Sequence, residues 1–197
     1  AAGSLEDHLG EIVEQFEVWD LGSRYVEAHV SRVIEANWKI AQEAFCEAYH
    51  VSATHPQILT YLSDVNSQID VWDRCSRVIT AGGSPSPLLG DVEISEQDML
   101  RGMLDVRVDQ DAPLTLSEGQ TARAVLAEMS RERWRPQAGD IVDQMSDAEM
   151  MDSIDYTVFP NMHPWGAFNR ITYRFRPNGD DHRSAIMEVF FLSPFQG

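Results

Sequence analysis

Hydrophobic and polar positions change their period several times along the chain, and each change marks an element. In "RYVEAHVSRVIE", residues 24 to 35, Val26, Ala28 and Val30 alternate with Glu27, His29 and Ser31, which predicts a strand solvated on one face. Asn37 follows as a helix N-cap. From Trp38 to about Val51 the spacing turns helical, with Trp38, Ala41, Phe45 and Tyr49 recurring every three or four residues. Pro56 closes that element, because the residue before a proline, here His55, is driven out of the α region. Residues 68 to 80 read as a strand, and 81 to 91 as a loop rich in Gly, Ser and Pro. Ser95 with Asp98 resembles a capping box and opens a helix over 96–105. A further helix starts at Ser117, in "SEGQTARAVLAEMSRERW", and another covers 138–153. Strands over 154–160, 167–176 and 184–192 follow, with Asn178-Gly179 as the hairpin signal between the last two.

Strand, helix, strand, helices and then a run of antiparallel strands is an α+β order. Neither a repeat nor a linker interrupts the 197 residues, so one domain is expected. The formal net charge of −17 repels phosphate backbones and anionic lipids, which argues against nucleic acid and membranes as partners. A neutral small molecule or a basic protein fits better. No apolar run approaches the roughly 20 residues of a membrane span. The acidic N-terminus "AAGSLEDHLGE" has no basic or apolar stretch of a signal peptide. Cys46 and Cys75 form no CxxC pair, which suits a reducing cytoplasm, gives no structural zinc site and argues against an iron–sulfur cluster held by this chain.

The candidate chemistry lies in "EAFCEAYHVSATHP", residues 43 to 56. His50 and His55 are five apart, so on a straight helix they would point roughly 140° away from each other. A helix that ends between them lets both turn toward one point. Glu47, three residues before His50, is on the same helix face and can accept a ring N–H, the bond that orients a metal-ligating imidazole. Two imidazoles with one carboxylate and open positions make the facial triad of non-haem Fe(II) oxygenases. His8, His163 and His182 sit in loop-like, polar or Pro-flanked contexts, and His29 in a strand pattern; none of these is singled out.

"NWKIAQEAFCEAYHVSATH", residues 37 to 55, resembles the mononuclear-iron motif of Rieske-type ring-hydroxylating oxygenase α subunits. Asn37-Trp38-Lys39, Glu43 and Phe45 match the helix, and His50 and His55 match the two iron ligands. Glu47 stands where the family has its bridging Asp, and Ala44 where it has Asn. "VFPN", 158 to 161, resembles the strand before the substrate pocket. The resemblance implies a helix-grip fold, an antiparallel sheet around a long helix. It implies a terminal oxygenase that hydroxylates an aromatic substrate with O2 at a mononuclear Fe(II), with electrons from a Rieske [2Fe–2S] cluster crossing Glu47. Aromatic hydrocarbon catabolism is the implied setting. Ferredoxin or reductase would be partners, and a homotrimer or α3β3 assembly the intact form. Ala44, Phe45, Phe159, Asn161 and Trp165 become pocket candidates.

The family's Rieske domain and the Asp that is its third ligand find no match here; Asp152 and Asp155 precede the strands and do not correspond to it. Residues 1–197 are therefore expected to be part of a catalytic domain, inactive alone. A second reading is a metal-free carrier of hydrophobic ligands with the same fold. A third, metal-dependent hydrolysis, lacks the one-face histidine pair and adjacent Glu of HExxH.

Overall fold

The computed structural model describes residues 3–105, 114–166 and 169–194. Within the span read as one domain, the chain forms two compact units. The first takes the chain up to Glu47, Ile69–Val78 and the chain from Ile154; the second takes Ala48–Gln68 and Ile79–Ser153.

Seven strands form one sheet: β1 (Arg24–Ile34), β2 (Gln68–Val71), β3 (Cys75–Thr80), β4 (Ser153–Val158), β5 (Met162–Pro164), β6 (Ile171–Asn178) and β7 (Asp181–Pro194), in the order β1-β7-β6-β5-β4-β3-β2. β1 runs antiparallel to β7, β7 to β6, β6 to β5 and β5 to β4. The α+β class holds.

β1 departs from its expected half-burial. It is an edge strand, and every residue from Tyr25 to Val33 is exposed. A bulge between Val26 and Ala28 also breaks the alternation, so Val26 faces away from Ala28 and Val30. The strand read over 68–80 is a hairpin, β2 and β3, closed by Trp72 N–H donating to the Cys75 carbonyl at 2.8 Å. The hairpin read at Asn178-Gly179 is offset by one residue: Asn178 pairs with Asp181, and Gly179, at φ +61°, and Asp180 make the turn. The first two residues of the strand read over 167–176 lie outside the described residues.

In the first unit, α1 (Leu5–Leu9) and α2 (Ile12–Glu17) precede β1. Phe16 of α2 and Trp19 pack edge-on against Tyr156 of β4, with ring centroids 4.8 and 6.0 Å away. Then α3 (Trp38–Glu43) packs on β6 and β7, opened by Asn37, whose side chain accepts from Lys39 N–H at 2.9 Å.

The second unit contains α4 (Val51–Thr54), α5 (Glu96–Met103), α6 (Ala122–Ala138) and α7 (Asp147–Met151). Met99 and Leu100 of α5 and Ala122 and Leu126 of α6 are its buried centre. Ser95 caps α5 as read. The cap of α6 is Thr121, four residues after Ser117, because Ser117 and Gln120 bond each other in a turn of their own. The helix read over 138–153 divides into a 3-10 segment, Gly139–Gln144, and α7, which a Ser146–Glu149 capping box restarts. Thr121→Ala is expected to cost about 1 kcal/mol by removing the bond to Ala124 N–H. Urea unfolding would measure it, and an unchanged midpoint would rule the cap out.

Candidate functional site

The predicted ligand segment folds differently from the expected helix. α3 stops at Glu43, and residues 44–50 are turns, with Phe45 N–H bonding the Gln42 carbonyl and Cys46 N–H the Glu43 carbonyl. Packing outweighs the helical period here. Phe45 turns in among His163, Tyr173 and Phe175, with centroids 5.6, 4.6 and 5.3 Å away. The break therefore comes before His50 instead of after it, and Glu47 and His50 share no helix face.

α4 is a single turn flanked by the two histidines. His50 is its N-cap; His55 is its C-cap, at φ −132° and ψ 45°, the non-helical backbone that Pro56 requires. The rings lie 5.8 Å apart between centroids with planes at 80°. Two imidazoles bound side by side at about 2.1 Å from one ion hold their centroids roughly 4.5–5.5 Å apart. The observed separation lies just above that range. Among the described residues, no group of three His, Cys, Asp or Glu is placed to hold a metal. Asp152 is committed elsewhere: it accepts from Arg123 and from Gly82 N–H.

The first unit carries a separate constellation. Asp155 stands opposite Trp165, and His163 opposite Tyr173. With the alternation of strands, Asp155, Thr157, His163, Trp165, Tyr173 and Phe175 share one sheet face. A polar chain crosses it. His163 is fully buried; its Nε2 lies 3.3 Å from Gln42 Oε1 and its Nδ1 3.2 Å from Thr157 Oγ1, which in turn lies 3.3 Å from Cys46 Sγ. Burial pushes His163 down to about 4, so its ring is neutral at physiological pH, and burial pushes the Cys46 thiol up. Burial also raises the Asp155 carboxyl well above the carboxylate range, outweighing a bond from Tyr156 N–H. Asp155 Oδ1 and Trp165 Nε1 are both buried without a hydrogen-bond partner among the described residues.

The other pocket candidates are placed as follows. Ala44 is the half-buried C-cap of α3. Phe159 is 60% exposed, and its carbonyl accepts from His8 Nε2 at 2.7 Å. Asn161 ties β5 to β6 by donating to the Phe175 carbonyl at 2.6 Å. Sequence reasoning singled out neither His163 nor Asp155, the latter weighed only as an iron ligand. The available signal was polar side chains at alternate positions of strands whose intervening residues, Ile154 and Tyr156, are large and apolar. On the opposite sheet face, Glu188 is buried and held by Arg174 and Arg176, which bring its carboxyl down to about 2. An apolar cavity of about 500 Å³, lined by Leu9, Ile12, Phe16, Val158 and Pro164 among others, contains none of the predicted site residues.

Comparison with known proteins sets this geometry in a family. Residues 21–194 match the family described as ring hydroxylating alpha subunit (catalytic domain). No curated protein matches the chain. Among solved structures, naphthalene 1,2-dioxygenase with indole bound in the active site aligns over 98% of this chain and 40% of its own, at 18% identity and a TM-score of 0.52. The quaternary ammonium Rieske monooxygenase CntA, in complex with an inhibitor, aligns over 100% of this chain and 39% of its own, at 10% identity and a TM-score of 0.51. The chain thus spans about 40% of the length of these relatives, and the likeness is one of fold. That fold is the helix-grip type expected from the sequence, with an antiparallel sheet and one long helix. With nearly its whole length matched, the chain belongs to the ring-hydroxylating α-subunit family, through the catalytic domain.

Proposed function

We propose that this chain provides the iron-binding histidines and the substrate-facing wall of a terminal oxygenase, an oxidoreductase that hydroxylates an aromatic ring compound with O2. The observation that carries the reading is the histidine pair flanking α4, 5.8 Å apart, in a chain of this family. His50 and His55 would hold Fe(II) through neutral imidazoles, with a carboxylate as third ligand. When bound, the iron supplies O2 activation, with electrons from a Rieske [2Fe–2S] centre served by a ferredoxin or reductase.

The chain's own residues bind, orient and shield. Phe45 and Tyr173, both half-buried, offer ring faces that position a flat substrate by stacking, and the fully buried Phe175 backs them. The buried floor around His163 excludes water. His163, neutral at pH 7, relays hydrogen bonds between Gln42 and Thr157 and delivers no proton. Glu47 is assigned as the bridge for electron entry, and a trimeric assembly, α3 or α3β3, would bring a neighbour's cluster to it. The two free thiols fit a reducing, cytoplasmic setting.

Anaerobic Fe(II) titration of the 197-residue chain tests the reading. With the third ligand unmatched, the chain alone should bind iron weakly, and His50→Ala or His55→Ala should weaken it further, by more than the roughly 10–100-fold that losing a second-shell partner costs. Iron binding indifferent to both substitutions would overturn the ligand assignment.

A further inference from the structure

Asp155 and Trp165 form a pair that the iron reading leaves unused. They face each other across a β-bridge, where opposed side chains start about 4.5–5.5 Å apart. Each buries a polar atom with no hydrogen-bond partner among the described residues, Oδ1 on Asp155 and Nε1 on Trp165. Asp155 is only 8% exposed overall. One such orphan is uncommon, and two at opposed positions on one sheet face indicate a shared missing partner, since each carries a desolvation penalty until something bonds it.

The chemistry of that partner follows from the donors. An indole N–H only donates, so the partner must accept. Burial favours the protonated form of Asp155, which can donate through its O–H or accept through its bare oxygen. A carbonyl oxygen satisfies both by accepting twice. A hydroxyl does so by accepting from Trp165 and donating to Asp155. An ammonium group cannot accept the indole N–H, and a bare hydrocarbon leaves both atoms unpaired. The surroundings favour a ring beside that oxygen: the Trp165 and Tyr173 centroids are 6.5 Å apart, and Phe45 lies 4.6 Å from Tyr173. Trp165, Tyr173 and Phe45 are each only half-buried, so the aromatic wall has an open side.

We propose that Asp155 and Trp165 together bind an uncharged carbonyl or hydroxyl oxygen on the ring substrate, which makes the substrate class oxygen-bearing ring compounds instead of plain aromatic hydrocarbons. The inference rests on the reading above that this wall receives the substrate. In it, Asp155 and Trp165 determine specificity and orient the ring; neither exchanges a proton in the reaction.

Calorimetric titration of the full chain with tetralin and 1-tetralone, which share a ring system and differ in one carbonyl, tests the proposal. The ketone should bind about tenfold more tightly, the gain of one to two neutral hydrogen bonds. Asp155→Leu and Trp165→Phe should each reduce the ratio of 1-tetralone to tetralin affinity several-fold, whereas Asp155→Asn, which still bonds a carbonyl, should keep the preference. Circular dichroism and retained tetralin binding show that the variants fold. Equal affinity of the two probes for the unsubstituted chain, no binding of either, or parallel loss of both in the variants would overturn the proposal, and equal affinity would mean that the pair holds only water. Iron content measured on the same samples separates the two readings. Iron held by the histidines without ketone preference sinks this inference alone, and ketone preference without iron sinks the iron assignment alone.

Discussion

Glu47→Gln in the assembled oxygenase is expected to leave iron content unchanged and to lower substrate-coupled O2 uptake by roughly 10–100-fold, the range for losing a partner adjacent to a metal ligand. The substitution keeps the length and hydrogen-bonding reach of the side chain and removes its charge. Glu47 lies in the turn segment before α4, whereas the two candidate ligands flank α4 itself. Metal retention and electron delivery should therefore separate. Metal analysis gives the first, and a single-turnover measurement, in which a reduced cluster is mixed with substrate and O2, gives the second. The rate of cluster oxidation should fall while substrate affinity stays constant. Iron lost in proportion to activity would make Glu47 a ligand and end its assignment as a bridge.

The second large effect is on stability against pH, through His163. Its folded value of about 4 lies below the ordinary 6.5, so the native state binds fewer protons than the unfolded state in between. The stability tied to the neutral ring is complete above about 6.5 and is lost as pH falls toward 4. The full gap corresponds to about 3 kcal/mol, most of it gone by about pH 4.5. Asp155 works in the opposite direction, since a carboxyl held protonated by burial costs stability as pH rises above its unfolded value. The two are separated by comparing the parent with His163→Gln, which leaves Asp155 in place. Urea unfolding at pH 7.5 and 4.5 should show the parent losing about 2–3 kcal/mol more than the variant. Parallel losses would show that the imidazole takes up its proton without cost.

Elements whose ends are fixed by local chemistry were legible in the sequence. Asn37, Ser95 and the turn at Gly179 mark boundaries with their own side chains or backbone, and the structure places them within a residue. Elements decided by distant partners were not. Residues 44–50 have helical spacing, yet Phe45 gains more from the rings of Tyr173 and Phe175, well over a hundred residues on. β1 alternates correctly, but its exposure depends on an edge position that only strand order reveals. The histidine pair was legible because Pro56 acts locally on His55. His163 was passed over because "NMHPW" looks like a loop; it is a three-residue strand supported by β6. Asp155 was weighed only as an iron ligand and its burial was not legible: an acid in a strand suggests a solvated face, and here both faces of β4 are covered at that point.

The strand order also governs how the chain comes off the ribosome. Among the described residues β1 has a single sheet neighbour, β7, and the two meet across a separation of 159 residues, as at His29 and Glu188. At synthesis rates of about 5–20 residues per second, β1 waits roughly 8–30 s for its mate to be made. During that wait Val26, Val30 and Val33 and an unpaired backbone edge are available to any other strand. The net charge of −17 keeps like chains apart over the same interval. A nascent chain arrested after β6 would hold six of the seven strands and still leave β1 without a place in the sheet. Pairing of such high sequence separation belongs to the slow end of domain folding, so the yield of soluble protein should depend more on growth temperature and chaperone supply than on codon choice within the first forty residues.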